Sequence, residues 1–232
     1  IAAIRKAGLS KYNLSGSYLP TATHRRRILV PGQVEDDASV RLGAGAERTN
    51  EDLLRRVRRE NPDAHLIFKP HPDVESGLRP GAVDATPHAD EVAVAADPIS
   101  LLSHVDEVWT ITSTLGFEAL LRGIPVTTLG APFYAGWGLT RDLGPVPRRR
   151  TARPGITDLA HACLIAYPRY RDPVTGLPTG VTVTGDSTTE TTSTSAGING
   201  PWVNPDAKAS YSNYGRAFVD FAYLVRHTRV VK

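Results

Sequence analysis

The 232-residue sequence has no methionine and a single cysteine, Cys163. One thiol cannot form an internal disulfide, and it excludes a cysteine-rich metal site. Cys163 falls in an apolar helical stretch and reads as a small core residue. Aromatic residues are scarce at 7%, and no nucleic-acid-binding motif is present, so nucleic acid is not an expected partner. No apolar run approaches the length of a bilayer span. No signal peptide is seen, and the first residue is Ile rather than Met, so the sequence reads as a fragment. The lack of a leader in a fragment says nothing about export.

A hydrophobic content of 41% fits a soluble globular protein, long enough for one sizeable domain or one and a half. Net charge is only +3, yet basic residues cluster at His24–Arg27, Arg55–Arg59 and Arg148–Arg150. Such runs suit phosphates, acidic head groups or simply a solvated surface.

Residues 1–8 begin as a short amphipathic helix ending near Gly8. A buried strand at Ile28–Val30 leads into the polar loop Pro31–Ser39. Asn50 is expected to cap a helix through about Glu60, with Leu53, Leu54 and Val57 on one face. Further strands are expected at Ala64–Lys69, Val92–Ala96, Glu107–Ile111 and Val126–Leu129. Asp97-Pro98 starts a helix over Ile99–Val105, and another spans Asp158–Tyr167. Strands and helices alternate from 28 to 167, and the strands are apolar on both faces. That pattern predicts an α/β fold, a parallel sheet with helices on both faces. Ligands of such sheets bind at the carboxyl ends of the strands. Four polar loops leave those ends, at 31–39, 70–77, 112–114 and 130–138, and the unusual residues gather there.

The stretch 110–138 concentrates the chemistry. Thr112, Ser113 and Thr114 stand at the start of a helix over about Leu115–Arg122, and Gly123 takes the C-terminal cap position. The helix start offers free N–H groups and a positive dipole end to a phosphate, or it is capped by its own hydroxyls. Glu118, one turn in, is within reach of a sugar hydroxyl on the same ligand. In the first loop, Asp37 follows Glu35 and Asp36 at a strand end, where a carboxylate serves as nucleophile, base or helix cap. In the second, Lys69 and His71 flank Pro70 and form a cationic or hydrogen-bonding pair suited to a carboxylate or phosphate. No spacing suggests zinc, and no carboxylate cluster demands a divalent metal.

Val30–Ser39, Lys69–Val74, Thr110–Gly123 and Pro132–Gly138 stand in the order found in bacterial capsule polysaccharide β-Kdo transferases, which the chain resembles over roughly residues 1–178. Lys11-Tyr12-Asn13-Leu14 and Tyr167-Pro168-Arg169-Tyr170 also resemble that family. The resemblance implies a Rossmann-like half of a GT-B-type glycosyltransferase. It also implies transfer of Kdo from CMP-Kdo to a glycolipid acceptor, with retention, at the cytoplasmic face of the inner membrane beside capsule assembly proteins. By the same likeness, Asp37 and His71 are catalytic, while Gln33, Lys69, Ser113, Thr114 and Glu118 bind the donor. No cofactor or metal is implied. This half would hold the donor, and an acceptor-binding half would precede residue 1. Another nucleotide-sugar transferase or epimerase, or a non-catalytic nucleotide-binding module, are the alternatives.

The expected organisation is a linking helix and loop over 1–26, a nucleotide-sugar-binding domain over 27–178, a Thr/Ser-rich linker over 179–198 and a tail over 199–232. The tail weakly resembles a subtilisin-like protease segment but carries none of that family's catalytic motifs.

Overall fold

The computed structural model describes residues 1–6, 8–11, 18–167, 170–171 and 178–179. Most of Lys11–Leu14, Pro168-Arg169, the linker after 179 and the tail lie outside these described residues.

The chain runs α1 (Ala2–Lys6), β1 (Arg27–Pro31), α2 (Ala38–Gly43), α3 (Asn50–Glu60) and β2 (His65–Lys69). Next come α4 (Pro72–Glu75), β3 (Glu91–Val92), α5 (Pro98–Leu102), β4 (Glu107–Thr110) and α6 (Leu115–Leu121). β5 (Val126–Thr128), β6 (Arg141–Asp142) and α7 (Ile156–His161) follow, and α7 passes directly into a π-helix over Ala162–Ala166. β7 (Tyr170–Arg171) and β8 (Pro178–Thr179) form a separate antiparallel pair.

The main sheet has the order β3-β2-β1-β4-β5-β6, and every neighbouring pair is parallel. Successive side chains on a strand face opposite sides, and here both sides are apolar. Leu29, Ile67 and Val108 pack with Leu101 and Leu102 of α5, Phe117 of α6 and Leu159 of α7. Ile28, Val30, Leu66, Phe68 and Trp109 pack on the other side against Leu53, Leu54 and Val57 of α3. A fully buried side chain of this size contributes about 1.5–3 kcal/mol, so these two layers dominate the stability of the sheet.

The expected parallel α/β sheet is therefore the observed one, with local differences. β3 is two residues rather than five, because the chain turns at Ala95, whose φ is +50°. β6 was not expected: Arg-Asp has no apolar signature, and its pairing to β5 supplies the strand. Helix α2 replaces the end of the expected polar loop. The last helix divides into α7 and the π-turn. Thr49 rather than Asn50 caps α3, accepting the Asp52 N–H at 3.0 Å. Gly123 follows α6 with φ +78°, as its cap position requires.

Candidate active site

From β1 the chain moves outward through β2 to β3, then returns to place β4 on the other side of β1. The crevice between the carboxyl ends of β1 and β4 is thus a topological switch point, where open α/β sheets bind ligands. Gln33 sits there, buried. Its Nε2 donates to Thr112 Oγ1 at 2.8 Å, and its Oε1 accepts from Thr112 N–H at 2.9 Å and Thr110 Oγ1 at 3.1 Å. Expected to bind substrate, Gln33 spends these bonds tying β1 to β4. Asn50 holds the same loop by its main chain: Oδ1 accepts from Gln33 N–H, and Nδ2 donates to Gln33 and Gly81 carbonyls.

The three adjacent acids diverge. Glu35 Oε1 accepts from Asn50 N–H at 2.8 Å, and Asp36 pairs with Arg79 at 2.6 Å. Asp37 occupies the N-cap position of α2 but makes no capping bond. Its Oδ2 instead accepts from Ser39 Oγ at 2.5 Å, and the residue stays half-buried.

On the neighbouring loop His71 caps α4, with Nδ1 accepting from Asp73 N–H at 3.2 Å. Burial pushes the His71 pKa down. Asp73 opposes that shift, Lys11 and Lys69 reinforce it, and Asp37 opposes it across the loops. The ring is thereby biased towards its neutral form, in which Nδ1 accepts the Asp73 N–H and the proton sits on Nε2. Lys69, almost wholly buried at the end of β2, lies 3.8 Å from Glu75. Burial lowers its pKa, against the attraction of Glu75 and Asp97.

At α6, Ser113 Oγ accepts from Leu115 N–H at 3.3 Å, while Thr114 makes no side-chain cap. Glu118 Oε1 accepts from Lys11 N–H at 2.8 Å, and Arg122 donates to the Leu9 carbonyl, so segment 9–11 lies against this helix. Glu118 Oε2 is shut off from solvent with no hydrogen-bond partner among the described residues, although the residue as a whole is partly exposed. Burial pushes its pKa up to about 7, against the Lys11 N–H bond and the charges of Arg122 and Lys11.

The fourth loop braces α6 from below. Tyr134 is fully buried, donates to the Ser113 carbonyl at 2.5 Å and stacks with Phe117 at 6.3 Å between ring centroids. A Cβ at Gly116 would come within 2.2 Å of the Tyr134 hydroxyl oxygen, so that position excludes every side chain. Arg150 is buried too, donating to the Pro132 and Ala135 carbonyls.

The basic runs do not serve this site. Arg25 and Arg58 pair with Asp90, and Arg26 pairs with Glu107, at the amino edge of the sheet. Arg56 pairs with Glu47 and Glu60 along α3. Arg150 is a brace for the fourth loop. Of the two readings open for these runs, the described pairs favour surface ion pairs, local along α3 and long-range at the amino edge.

The structure brings Gln33, Asp37, Lys69, His71, Ser113, Thr114 and Glu118 to the carboxyl edge on the loops expected for them. Sequence reasoning passed over Ser39, Arg79 and Tyr134. Ser39 was visible two residues after Asp37, and Tyr134 as one aromatic of a Gly-rich loop. Arg79 had no signal beyond a turn. Among the described residues, no group of three His, Cys, Asp or Glu side chains is placed to hold a metal ion.

A parallel sheet of order β3-β2-β1-β4-β5-β6, with its polar motifs gathered at the switch point, defines the class as a Rossmann-like α/β fold. The family model for capsule polysaccharide biosynthesis proteins matches residues 12–170, and the chain belongs to that family. It is 52% identical over 171 residues to the capsule polysaccharide modification protein LipA of Neisseria meningitidis, covering 72% of this chain and 24% of LipA. It is 49% identical to the lipopolysaccharide-processing protein LpsZ of Rhizobium meliloti, over 70% of this chain and 38% of LpsZ. The solved beta Kdo 2,7 transferase of Thermosulfurimonas dismutans KpsC superposes with a TM-score of 0.65 at 37% identity, covering 77% of this chain and 55% of that one. Its beta Kdo 2,4 transferase gives the same TM-score at 38% identity, with 77% and 57% covered. The chain thus spans about a quarter of LipA and little more than half of either solved transferase.

Proposed function

We propose that the chain is the donor-binding half of a retaining β-Kdo transferase that moves Kdo from CMP-Kdo to a glycolipid acceptor in capsule synthesis. The observation that carries this reading is Glu118: a buried carboxylate oxygen without a partner among the described residues, one turn into the helix that follows the switch-point strand. An ordered hydroxyl of the ribose satisfies that oxygen and holds the carboxylate ionised. Ser113, Thr114 and the start of α6 face the phosphate, and Lys69 adds positive charge nearby. His71, neutral with its proton on Nε2, donates to the donor's carboxylate or phosphate.

Asp37 attacks the anomeric carbon. Its oxygen forms the new C–O bond as the bond to phosphate breaks and CMP leaves with the electron pair. A glycolipid hydroxyl then displaces Asp37, giving up its proton to solvent water as the new C–O bond forms, and two inversions give net retention. The acceptor is presented by a second half of the enzyme, working at the cytoplasmic face of the inner membrane as a peripheral protein beside capsule assembly proteins. Among the described residues no helix is long and apolar enough to cross a membrane.

In the complete transferase, Asp37→Ala is expected to lose transfer from CMP-Kdo by several powers of ten while CMP binding persists; each power corresponds to about 1.4 kcal/mol of barrier. Transfer at the unchanged rate removes Asp37 from the chemistry, and turnover with a different nucleotide sugar replaces the donor assignment. The reaction also needs no divalent metal. The leaving group is a monophosphate, and Glu35 and Asp36 are already engaged by Asn50 and Arg79. Full activity in excess EDTA is expected; loss restored by Mg²⁺ makes the acids metal ligands.

A further inference from the structure

Asp37 ends a hydrogen-bonded row that runs out of the sheet. Ser39 Oγ lies 2.5 Å from Asp37 Oδ2, Thr112 Oγ1 lies 3.4 Å from Ser39 Oγ, and Gln33 Nε2 lies 2.8 Å from Thr112 Oγ1. The chemistry of the donors fixes the direction of each bond. An ionised carboxylate only accepts, so Ser39 gives its hydrogen to Asp37. Ser39 then accepts from Thr112, whose hydrogen is thereby used. Thr112 accepts in turn from the Gln33 amide, which can only donate through Nε2. Gln33 is itself fixed in orientation, because its Oε1 receives the Thr112 N–H and the Thr110 hydroxyl. Every hydrogen in the row points towards Asp37, and bonds aligned in this way polarise one another.

We propose that Ser39 is a positioning residue, which marks Asp37 Oδ2 as the oxygen that does not attack and turns Oδ1 to the sugar. The proposal rests on the reading of Asp37 as the attacking carboxylate. In the first step Oδ1 forms the bond to the anomeric carbon, the bond to phosphate breaks, and Oδ2 becomes the carbonyl oxygen of the ester. In the second step the acceptor hydroxyl oxygen bonds to the same carbon, its proton passes to solvent water, and Asp37 departs as the carboxylate with the electron pair. The negative charge returning to the carboxylate is then met by the Ser39 hydrogen bond. Loss of that bond disfavours departure of Asp37 more than it disfavours binding of the donor.

The test uses the complete transferase with CMP-Kdo and a synthetic acceptor, and CMP as the binding probe. Ser39→Ala is expected to lower kcat about 10- to 100-fold, the size of a lost charge-assisted hydrogen bond. CMP affinity stays within about twofold of the parent, since the Ser39 hydroxyl is already spent on Asp37 and Thr112. Ser39→Thr, which keeps the hydroxyl, restores most of the rate. Mass spectrometry during turnover finds a larger fraction of sugar-modified Asp37 in Ser39→Ala than in the parent. Unchanged kcat in Ser39→Ala overturns the proposal, as does a loss of CMP affinity equal to the loss of rate. If Ser39→Ala fails to fold, Ser39→Cys takes its place, with a similar shape and a weaker donor; parental kcat in that variant also overturns the proposal. Asp37→Ala separates the two readings. An active Asp37→Ala fells the reading of Asp37 itself, whereas an inactive one beside a fully active Ser39→Ala fells the role of Ser39 alone.

Discussion

The two edges of the sheet handle charge in opposite ways. At the amino edge, Asp90 receives Arg25 at 2.7 Å, Arg58 at 2.6 Å and the Leu66 N–H at 2.9 Å. Burial pushes its carboxyl up, but these bonds win and hold the pKa down at about 2. At the carboxyl edge, burial wins. Lys69 and His71 are pushed towards their neutral forms, and Glu118 is raised to about 7. A charge answered within the chain is scaffold. A buried oxygen such as Glu118 Oε2, with no partner among the described residues, is open to an incoming group that supplies one.

Three experiments test that contrast. The largest effect is expected at Gly116, where the carboxyl-edge helix meets Tyr134. Gly116→Ala forces a Cβ against the buried hydroxyl, and a cost of about 1–3 kcal/mol is expected, read as a fall of roughly 3–10 °C in Tm. Adding Tyr134→Phe should recover part of that loss, since the hydroxyl oxygen is the nearest atom. No recovery would show that the strain lies elsewhere.

The second concerns Glu118 and has a definite sign. Its folded pKa is raised from 4.5 to about 7. Its contribution to the stability of the ligand-free chain is therefore full below pH 4.5 and is lost as pH rises through 7. Binding of CMP through the ionised oxygen runs the other way. Affinity should be full above pH 7 and fall by up to about tenfold per unit below it. Glu118→Gln should flatten this profile, and Glu118→Ala should weaken CMP binding at pH 8, both measured by calorimetry. A parental affinity in Glu118→Ala would detach Glu118 from the nucleotide. Asp90 has the opposite dependence: its contribution is present above 3.8 and is lost as pH falls through about 2.

The smallest effect is expected at Arg58, which donates to Asp90 and to the carbonyls of Ala64 and His88. Arg58→Ala should cost about 1–2 kcal/mol of stability in urea denaturation and leave CMP affinity unchanged. A change in CMP affinity would mean that the two edges are coupled after all.

The sheet was legible because its signal is local. Ile28–Val30 and Leu66–Phe68 are apolar on successive positions, which only a strand buried on both faces requires. β6 was not legible, because Arg141 and Asp142 become a strand only by pairing with β5. The positions of the site loops followed from the sheet. The occupations of the side chains did not. Gln33 reads as a ligand-binding amide until Thr110 and Thr112, far along the chain, take its bonds. Asn50 reads as a cap because a cap is a local habit of asparagine, and its true partners lie 17 and 31 residues away. The run at 24–27 was illegible for the same reason, since Arg25 and Arg26 find Asp90 and Glu107 far along the chain, whereas Arg55 and Arg56 of α3 pair locally with Glu51, Asp52 and Glu60.

Asn50 has a consequence for the order of assembly. Its amide joins three chain segments: the start of α3, the loop at Gln33 and the turn at Gly81. Such loops gain little by collapsing alone, and closing them costs chain entropy. Leu53, Leu54 and Val57 must first seat α3 on the sheet, which brings the amide to its place. The first loop and the turn then form together on a template that is already rigid. In the same way they come apart together, as a unit that opens while the sheet beneath stays closed.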